Sequence, residues 1–184
     1  MRIQFFDVDE VILKFTESFL KFANSELKTD YDVKNTYTYD IGRSFNIPNR
    51  KFLPLFHEFI FSNRIGDLEY YEDAVEYFAK TPHVVKILLT ALPRTKMTTL
   101  ERKRNLHRLK FDKLLFSEHK ENYVKYFKPE LIFEDKPENV LKYLSKRKHF
   151  GKICVPRRPF NKELEKELSK DNQVVFYDSM TELL

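Results

Sequence analysis

Six short apolar segments rich in β-branched and aromatic residues recur along the 184-residue chain: "IQFF", "HVVKILLT", "KLLF", "LIFE", "KICV" and "QVVFY". Each is followed by a polar or amphipathic stretch. Strands that alternate with helix-length segments call for crossover connections, so the pattern predicts an α/β fold with a mostly parallel sheet flanked by helices. Two of the intervening stretches read as amphipathic helices. "NVLKYLSK" places Val140, Leu141 and Leu144 on one face, and "TTLERKRNLHRL" does the same with Leu100, Leu106 and Leu109.

The rhythm breaks once, between "IQFF" and "HVVKILLT", where about seventy residues intervene, too many for a simple crossover. This stretch predicts a helical insertion directly after the first strand, over residues 14–75, with residues 1–13 and 76–184 forming the core. An insertion there stands above the carboxyl ends of the strands, where open α/β sheets bind ligands, and so is placed to act as a lid. Of the chain's 28 aromatic residues, 13 lie in residues 14–75. Phe15, Phe19 and Phe22 share one helical stripe and Phe52, Phe56 and Phe59 another, the pattern of a small core. Tyr37, Tyr39, Phe45 and Phe61 fall outside both stripes and are candidates for substrate contact.

Composition limits the alternatives. With 42% hydrophobic and 33% charged residues, the chain has no apolar run approaching the roughly 18 residues of a membrane span, and it has no leader-like segment. It is expected to be cytoplasmic. The single cysteine, Cys154, rules out an internal disulfide and a cysteine cluster for zinc, and reads as a buried structural thiol. Residues 1–93 carry 11 basic and 14 acidic side chains and residues 94–184 carry 22 and 14, a net −3 against +8. A basic half can attract phosphates or nucleic acid, but most of its charge sits in stretches such as "LERKRNLHRLK", which read as solvated helix faces. The histidines lack metal-ligand spacing, and His107 and His119 read as surface residues.

Chemistry-bearing residues follow four of the strand-like runs: Asp7 and Asp9 after "IQFF", Thr90 ending "VVKILLT", Lys120 after "KLLF", and Glu134 with Asp135 in "LIFED". In a parallel sheet these ends converge at one edge. Carboxylates gathered so closely need a cation, and an all-oxygen set suits Mg²⁺ better than zinc. A cation beside a carboxylate, a hydroxyl and a lysine meets the needs of phosphoryl transfer, in which one acid attacks phosphorus and the other moves a proton.

The ordered series "DVDEV", "LLTALP", "EHK" and "FEDKPENV" resembles the four motifs of the haloacid dehalogenase (HAD) superfamily of phosphohydrolases. The tail, "ICVPRRPFNKEL" followed by "VVFYDSMTELL", resembles the cytosolic 5′(3′)-deoxyribonucleotidase family. The resemblance runs from residue 1 to the C-terminus and is weakest in the insertion. It implies a HAD-like Rossmannoid core with a small helical cap after the first strand, and a Mg²⁺-dependent phosphomonoesterase of the hydrolase class, acting on a small phosphomonoester such as a nucleotide. Phosphorylated nucleic-acid ends, sugar phosphates and a catalytically silent binding module stand as alternatives.

Carried over residue by residue, the resemblance makes Asp7 the nucleophile and Asp9 the general acid/base, with its backbone carbonyl toward Mg²⁺. Thr90 and the backbone N–H of Ala91 match the groups that bind phosphoryl oxygens. Lys120 matches the lysine that neutralises phosphate and Asp7, with Lys125 as a second candidate on spacing. Asp135 matches the principal metal ligand, and Glu134 a direct or water-mediated one. Glu10 departs from the family, which usually has glycine at that position.

Overall fold

The computed structural model describes residues 2–184. All six strand-like segments form strands: β1 Ile3–Asp7, β2 Val85–Thr90, β3 Lys113–Phe116, β4 Leu131–Phe133, β5 Lys152–Pro156 and β6 Val174–Tyr177. They build one parallel sheet in the order β3-β2-β1-β4-β5-β6. The chain lays down one half of the sheet outward from β1, then returns to β4 on its other side. The order therefore reverses at β1 and β4, and a crevice opens where their carboxyl ends diverge.

Successive side chains alternate between the two faces of the sheet. Phe6, Leu88, Phe133 and Cys154 join the core on one face, while Phe5, Ile87, Leu89, Ile132 and Ile153 join the core on the other. Phe6 and Phe133 stack at 4.5 Å across the β1–β4 pair, which ties together the two strands that flank the crevice.

Among the described residues, eight α-helices accompany the sheet: α1 Phe15–Leu27, α2 Ile41–Ser44, α3 Asn49–Ile60, α4 Glu72–Lys80, α5 Lys96–Asn105, α6 Val124–Phe127, α7 Pro137–Leu144 and α8 Lys162–Leu168. The first three form the insertion after β1, where Phe19 meets Phe52, Phe56 and Phe59 edge-on at 5.5–5.8 Å. The outgoing and returning arms of the insertion lie side by side. Leu13 and Tyr70 form an antiparallel bridge, Lys14 N–H donates to the Glu69 carbonyl at 2.8 Å, and Tyr71 N–H donates to the Ile12 carbonyl at 2.9 Å. The boundary drawn at residue 75 falls inside α4, whose Phe78 packs on Phe6 at 4.7 Å.

Two helix faces differ from the sequence pattern. On α7 the inward residues are Asn139, Val140, Tyr143 and Leu144, and Leu141 is 45% exposed. On α5 the inward residues are Thr98, Glu101, Arg102 and Asn105. The helix ends before Leu106, and Leu100 is 63% exposed. The inward spacing of α5 is helical but its residues are polar, so Leu100 was assigned to the wrong side, Leu106 and Leu109 are buried beyond the end of the helix, and Arg102 is not on a solvated face. Among the described residues, no helix is long and apolar enough to cross a membrane.

Candidate active site

Asp7 is the last residue of β1, at the centre of the sheet. Val8 N–H donates to its Oδ1 at 2.7 Å, and Lys120 Nζ lies 2.5 Å from its Oδ2, so both oxygens are held. Lys120 arrives on the turn after β3, is buried, and also reaches Glu134 Oε2 at 3.4 Å. Lys125 is exposed, so Lys120 is the lysine that the fold delivers to the acids. Burial alone would lower the Lys120 pKa, but the carboxylates of Asp7 and Glu134 more than reverse this and hold it as an ammonium.

Glu134 and Asp135 follow β4. Glu134 Oε1 accepts from Asn139 Nδ2 at 3.1 Å and from Lys136 N–H at 3.2 Å. Asp135 is fully buried, and neither of its oxygens has a hydrogen-bond partner among the described residues. Burial first, then the charge of Asp7, raises the pKa of both acids. Asp7, Glu134 and Asp135 each present an oxygen within 4.8 Å of the others. A buried carboxylate with two unused oxygens, facing two others, fits a hard divalent cation taking oxygen ligands. Asp9 is absent from this group. Its carboxylate turns instead to Arg102, whose Nη2 donates to Oδ1 at 2.8 Å and Oδ2 at 2.9 Å. The structure therefore gathers the three side chains expected to face a metal, and Asp9 was expected to offer its backbone carbonyl rather than its carboxylate. Burial raises the Asp9 pKa, and Arg102 opposes the rise.

Thr90 ends β2, one position beyond the partner of Asp7, and its buried Oγ1 accepts from Leu92 N–H at 3.3 Å. It does not cap the following helix, since Thr95 caps α5 through a reciprocal pair of hydrogen bonds with Thr98. Ala91 is exposed at the floor of the crevice.

Two cavities meet over these residues. One, of about 290 Å³, is lined by Asp7, Lys120, His119, Lys136, Asn139 and Lys142. The other, of about 440 Å³, is largely apolar and is lined by Phe15, Phe52, Phe56, Ile60, Leu92 and Phe160, with Asp40 and His57 among its polar groups. Asp9, Tyr39, Ala91 and Glu118 belong to both linings. Phe15, Phe52 and Phe56, predicted as core, thus also face this chamber, whereas Phe19, Phe22 and Phe59 do not line it. Of the four aromatic candidates only Tyr39 reaches the site; Tyr37 donates to the Arg43 carbonyl, Phe45 packs on Tyr31 and Phe61 on His57. Tyr39 keeps 37% of its surface exposed, with its ring edge-on to Phe160 at 5.6 Å and under Lys136 Nζ at 4.9 Å. Partial enclosure, then the fields of Asp135, Asp7, Glu134 and Asp9, raise its phenol pKa, so it stays a neutral hydroxyl. His107 and His119 are exposed as expected, but His119 lies at the rim of the polar cavity. Arg102 and Phe160 escaped the sequence reading. Phe160 sits in the quoted "RPFN" turn, whose Asn161 Nδ2 ties back to the Pro156 carbonyl at 3.1 Å.

Glu10 has φ = 59°, the left-handed conformation that glycine adopts most easily. The side chain compensates for the strain. Its Oε1 accepts from Thr16 N–H at 2.6 Å in the first turn of α1, and its Oε2 accepts from the Tyr71 hydroxyl at 3.1 Å. Its carbonyl accepts from Arg158 Nη2 at 3.0 Å and Nε at 3.2 Å, while that guanidinium lies 3.9 Å above the Tyr71 ring.

No family model matches the sequence, and no curated protein matches it. The fold does have solved counterparts. A predicted phosphatase from Clostridium acetobutylicum superposes with a TM-score of 0.61 at 15% identity, over 99% of this chain and 95% of that one. A haloacid dehalogenase-like hydrolase from Burkholderia xenovorans gives 0.61 at 13% identity over 98% and 96%. A HAD hydrolase from Bacillus subtilis, solved with magnesium bound, gives 0.58 at 15% identity over 99% and 96%. The architecture is that of the HAD-like hydrolases.

Proposed function

We propose that the protein is a Mg²⁺-dependent phosphomonoesterase that forms an aspartyl-phosphate on Asp7, and that its substrate is a nucleotide. The observation that carries this reading is the junction of the two cavities: a cradle of acids and Lys120 opens, along the wall made by Asp9, Tyr39 and Ala91, into an aromatic chamber. A phosphate in the first and a flat, uncharged ring in the second match these linings, whereas a sugar phosphate would leave the phenylalanine walls without a partner.

Asp7, Glu134 and Asp135 would hold Mg²⁺, as would the Asp9 carbonyl. When bound, the ion supplies positive charge to the phosphoryl oxygens and to the acids. An Asp7 oxygen bonds to phosphorus as the bond from phosphorus to the leaving oxygen breaks, and Asp9 gives its proton to that oxygen. Asp9 then takes a proton from water as the water oxygen bonds to phosphorus, and the Asp7–phosphorus bond breaks to release phosphate. Lys120 orients Asp7 and offsets charge on the transferring group, assisted by the Thr90 hydroxyl and Ala91 N–H.

The test is a screen of nucleoside monophosphates, sugar phosphates and 3′-phosphorylated oligonucleotides. Phosphate release from mononucleotides, lost with chelator and in Asp7→Asn, is expected; undiminished turnover by Asp7→Asn would sink the reading. Preference for oligonucleotides, weakening steeply with salt, would move the substrate to nucleic-acid ends and give a role to the rim lysines Lys136 and Lys142.

A further inference from the structure

Arg102 is 0% exposed, and its one carboxylate partner among the described residues is Asp9. A guanidinium is costly to bury, and among the described residues neither Nε nor Nη1 has a partner. On the inward face of α5, Glu101 pairs with Arg104, and Thr98 and Asn105 hold backbone. Thr98 donates to the Pro93 carbonyl at 2.5 Å, and Asn105 donates to the Leu68 carbonyl at 2.9 Å. Arg102 alone is directed at a carboxylate of the site. The dependence is mutual, because Arg102 supplies every side-chain hydrogen bond that Asp9 makes among the described residues. Asp9 also lines both cavities, at the point where the phosphate cradle meets the aromatic chamber. There the oxygen joining phosphate to the rest of a substrate would lie.

We infer that Arg102 is a positioning residue that fixes the direction in which Asp9 delivers its proton to the leaving oxygen. The inference rests on the phosphomonoesterase reading and goes beyond it, since that reading needs Asp9 but says nothing of what aims it. An aimed acid matters in proportion to the basicity of the leaving group. An alkoxide cannot depart without a proton, whereas p-nitrophenolate can.

The test compares kcat/KM, which reports only steps up to departure of the leaving group, for a nucleoside 5′-monophosphate and for p-nitrophenyl phosphate. Arg102→Lys and Arg102→Met are expected to lower the first about 100-fold and the second less than about threefold. In an Asp9→Asn background the same substitutions should cost less than about twofold, because the group they aim is gone. Equal losses on both esters, or an undiminished loss in Asp9→Asn, would overturn the inference in favour of a purely structural role. Failure of both Arg102 variants to fold, while Asp9→Asn folds, would do the same. A wild-type protein silent on both esters overturns the phosphomonoesterase reading, and this inference with it, and is distinct from an Arg102 variant that treats both esters alike.

Discussion

Lys120 Nζ lies 2.5 Å from Asp7 Oδ2, and this buried contact ties the turn after β3 to the end of β1. Among the described residues, Lys120 is also the cation within reach of Glu134. Lys120→Met should therefore abolish more than 99% of turnover and cost about 3 kcal/mol of stability, the usual penalty for removing one partner of a buried ion pair. Lys125→Met, at an exposed position, should do neither. Steady-state assays and urea titrations of the two variants check both expectations.

The second prediction concerns metal and pH together. Burial and Asp7 raise the folded-state pKa of Glu134 and Asp135 above their unfolded values. Between those values the folded state binds more protons than the unfolded one, so stability falls as pH rises through that window. In chelator, the melting temperature should drop between pH 5 and pH 8. Added Mg²⁺ should raise it, and by more at pH 8 than at pH 5, with about 2.7 kcal/mol gained at a hundredfold excess over Kd. Thermal melts across this pH range, with and without Mg²⁺, provide the measurement.

At Glu10 two effects oppose each other. The left-handed backbone costs about 1 kcal/mol in any residue with a Cβ, while the carboxylate gains the Thr16 and Tyr71 hydrogen bonds. Glu10→Ala loses the bonds and keeps the strain, whereas Glu10→Gly loses both. The glycine variant should accordingly melt about 2–4 °C above the alanine variant. Calorimetry of the pair isolates the backbone term.

Tyr39 stands where the two cavities join, with its ring set against Phe160. Tyr39→Ala should raise KM for a mononucleotide about tenfold, the worth of one ring contact to a base, and change kcat less. Tyr37→Ala, at an exposed position whose hydroxyl donates to the Arg43 carbonyl, should leave KM unchanged.

Cys154 is sealed between β4 and β6, and burial pushes its thiol up to about 12. At pH 8 the thiolate is then on the order of one molecule in 10⁴. Maleimide should label the native protein negligibly and the urea-unfolded protein within minutes; fast native labelling would show that this face of the sheet opens.

The sheet was legible because parallel strands buried on both faces are written as short apolar runs, and their alternation with helix-length stretches separates them from buried helix segments. Asp7, Glu134 and Asp135 were legible for a related reason: a parallel sheet sends all carboxyl ends to one edge, so a polar residue at the end of a run has its place fixed by topology, whereas Lys120 stands beyond Ser117–His119 and was named by resemblance, with Lys125 left open. What remained hidden depended on side-chain direction. Arg102 carries the charge of a surface residue but turns inward on a helix whose buried face is polar, and periodicity of apolar residues cannot register such a face. Leu100 and Leu141 were assigned inward for the same reason. That Asp9 leaves the other acids for Arg102 is likewise a rotamer choice, set by a residue on a distant helix. Phe52 and Phe56 show a subtler limit, since one stripe of phenylalanines can serve as core on one edge and as cavity wall on the other.

The position of β1 at the middle of the sheet also bears on how the protein is made. Its hydrogen-bonding neighbours are β2 and β4, so Asp7 leaves the ribosome well before Thr90, and longer still before Lys120 and Asp135. Until β4 emerges, β1 has one unpaired edge and Asp7 lacks the neighbouring acids Glu134 and Asp135. β1 is thus translated before the strand that completes its pairing, and the nascent chain carries an apolar "IQFF" segment with one open edge until β4 follows.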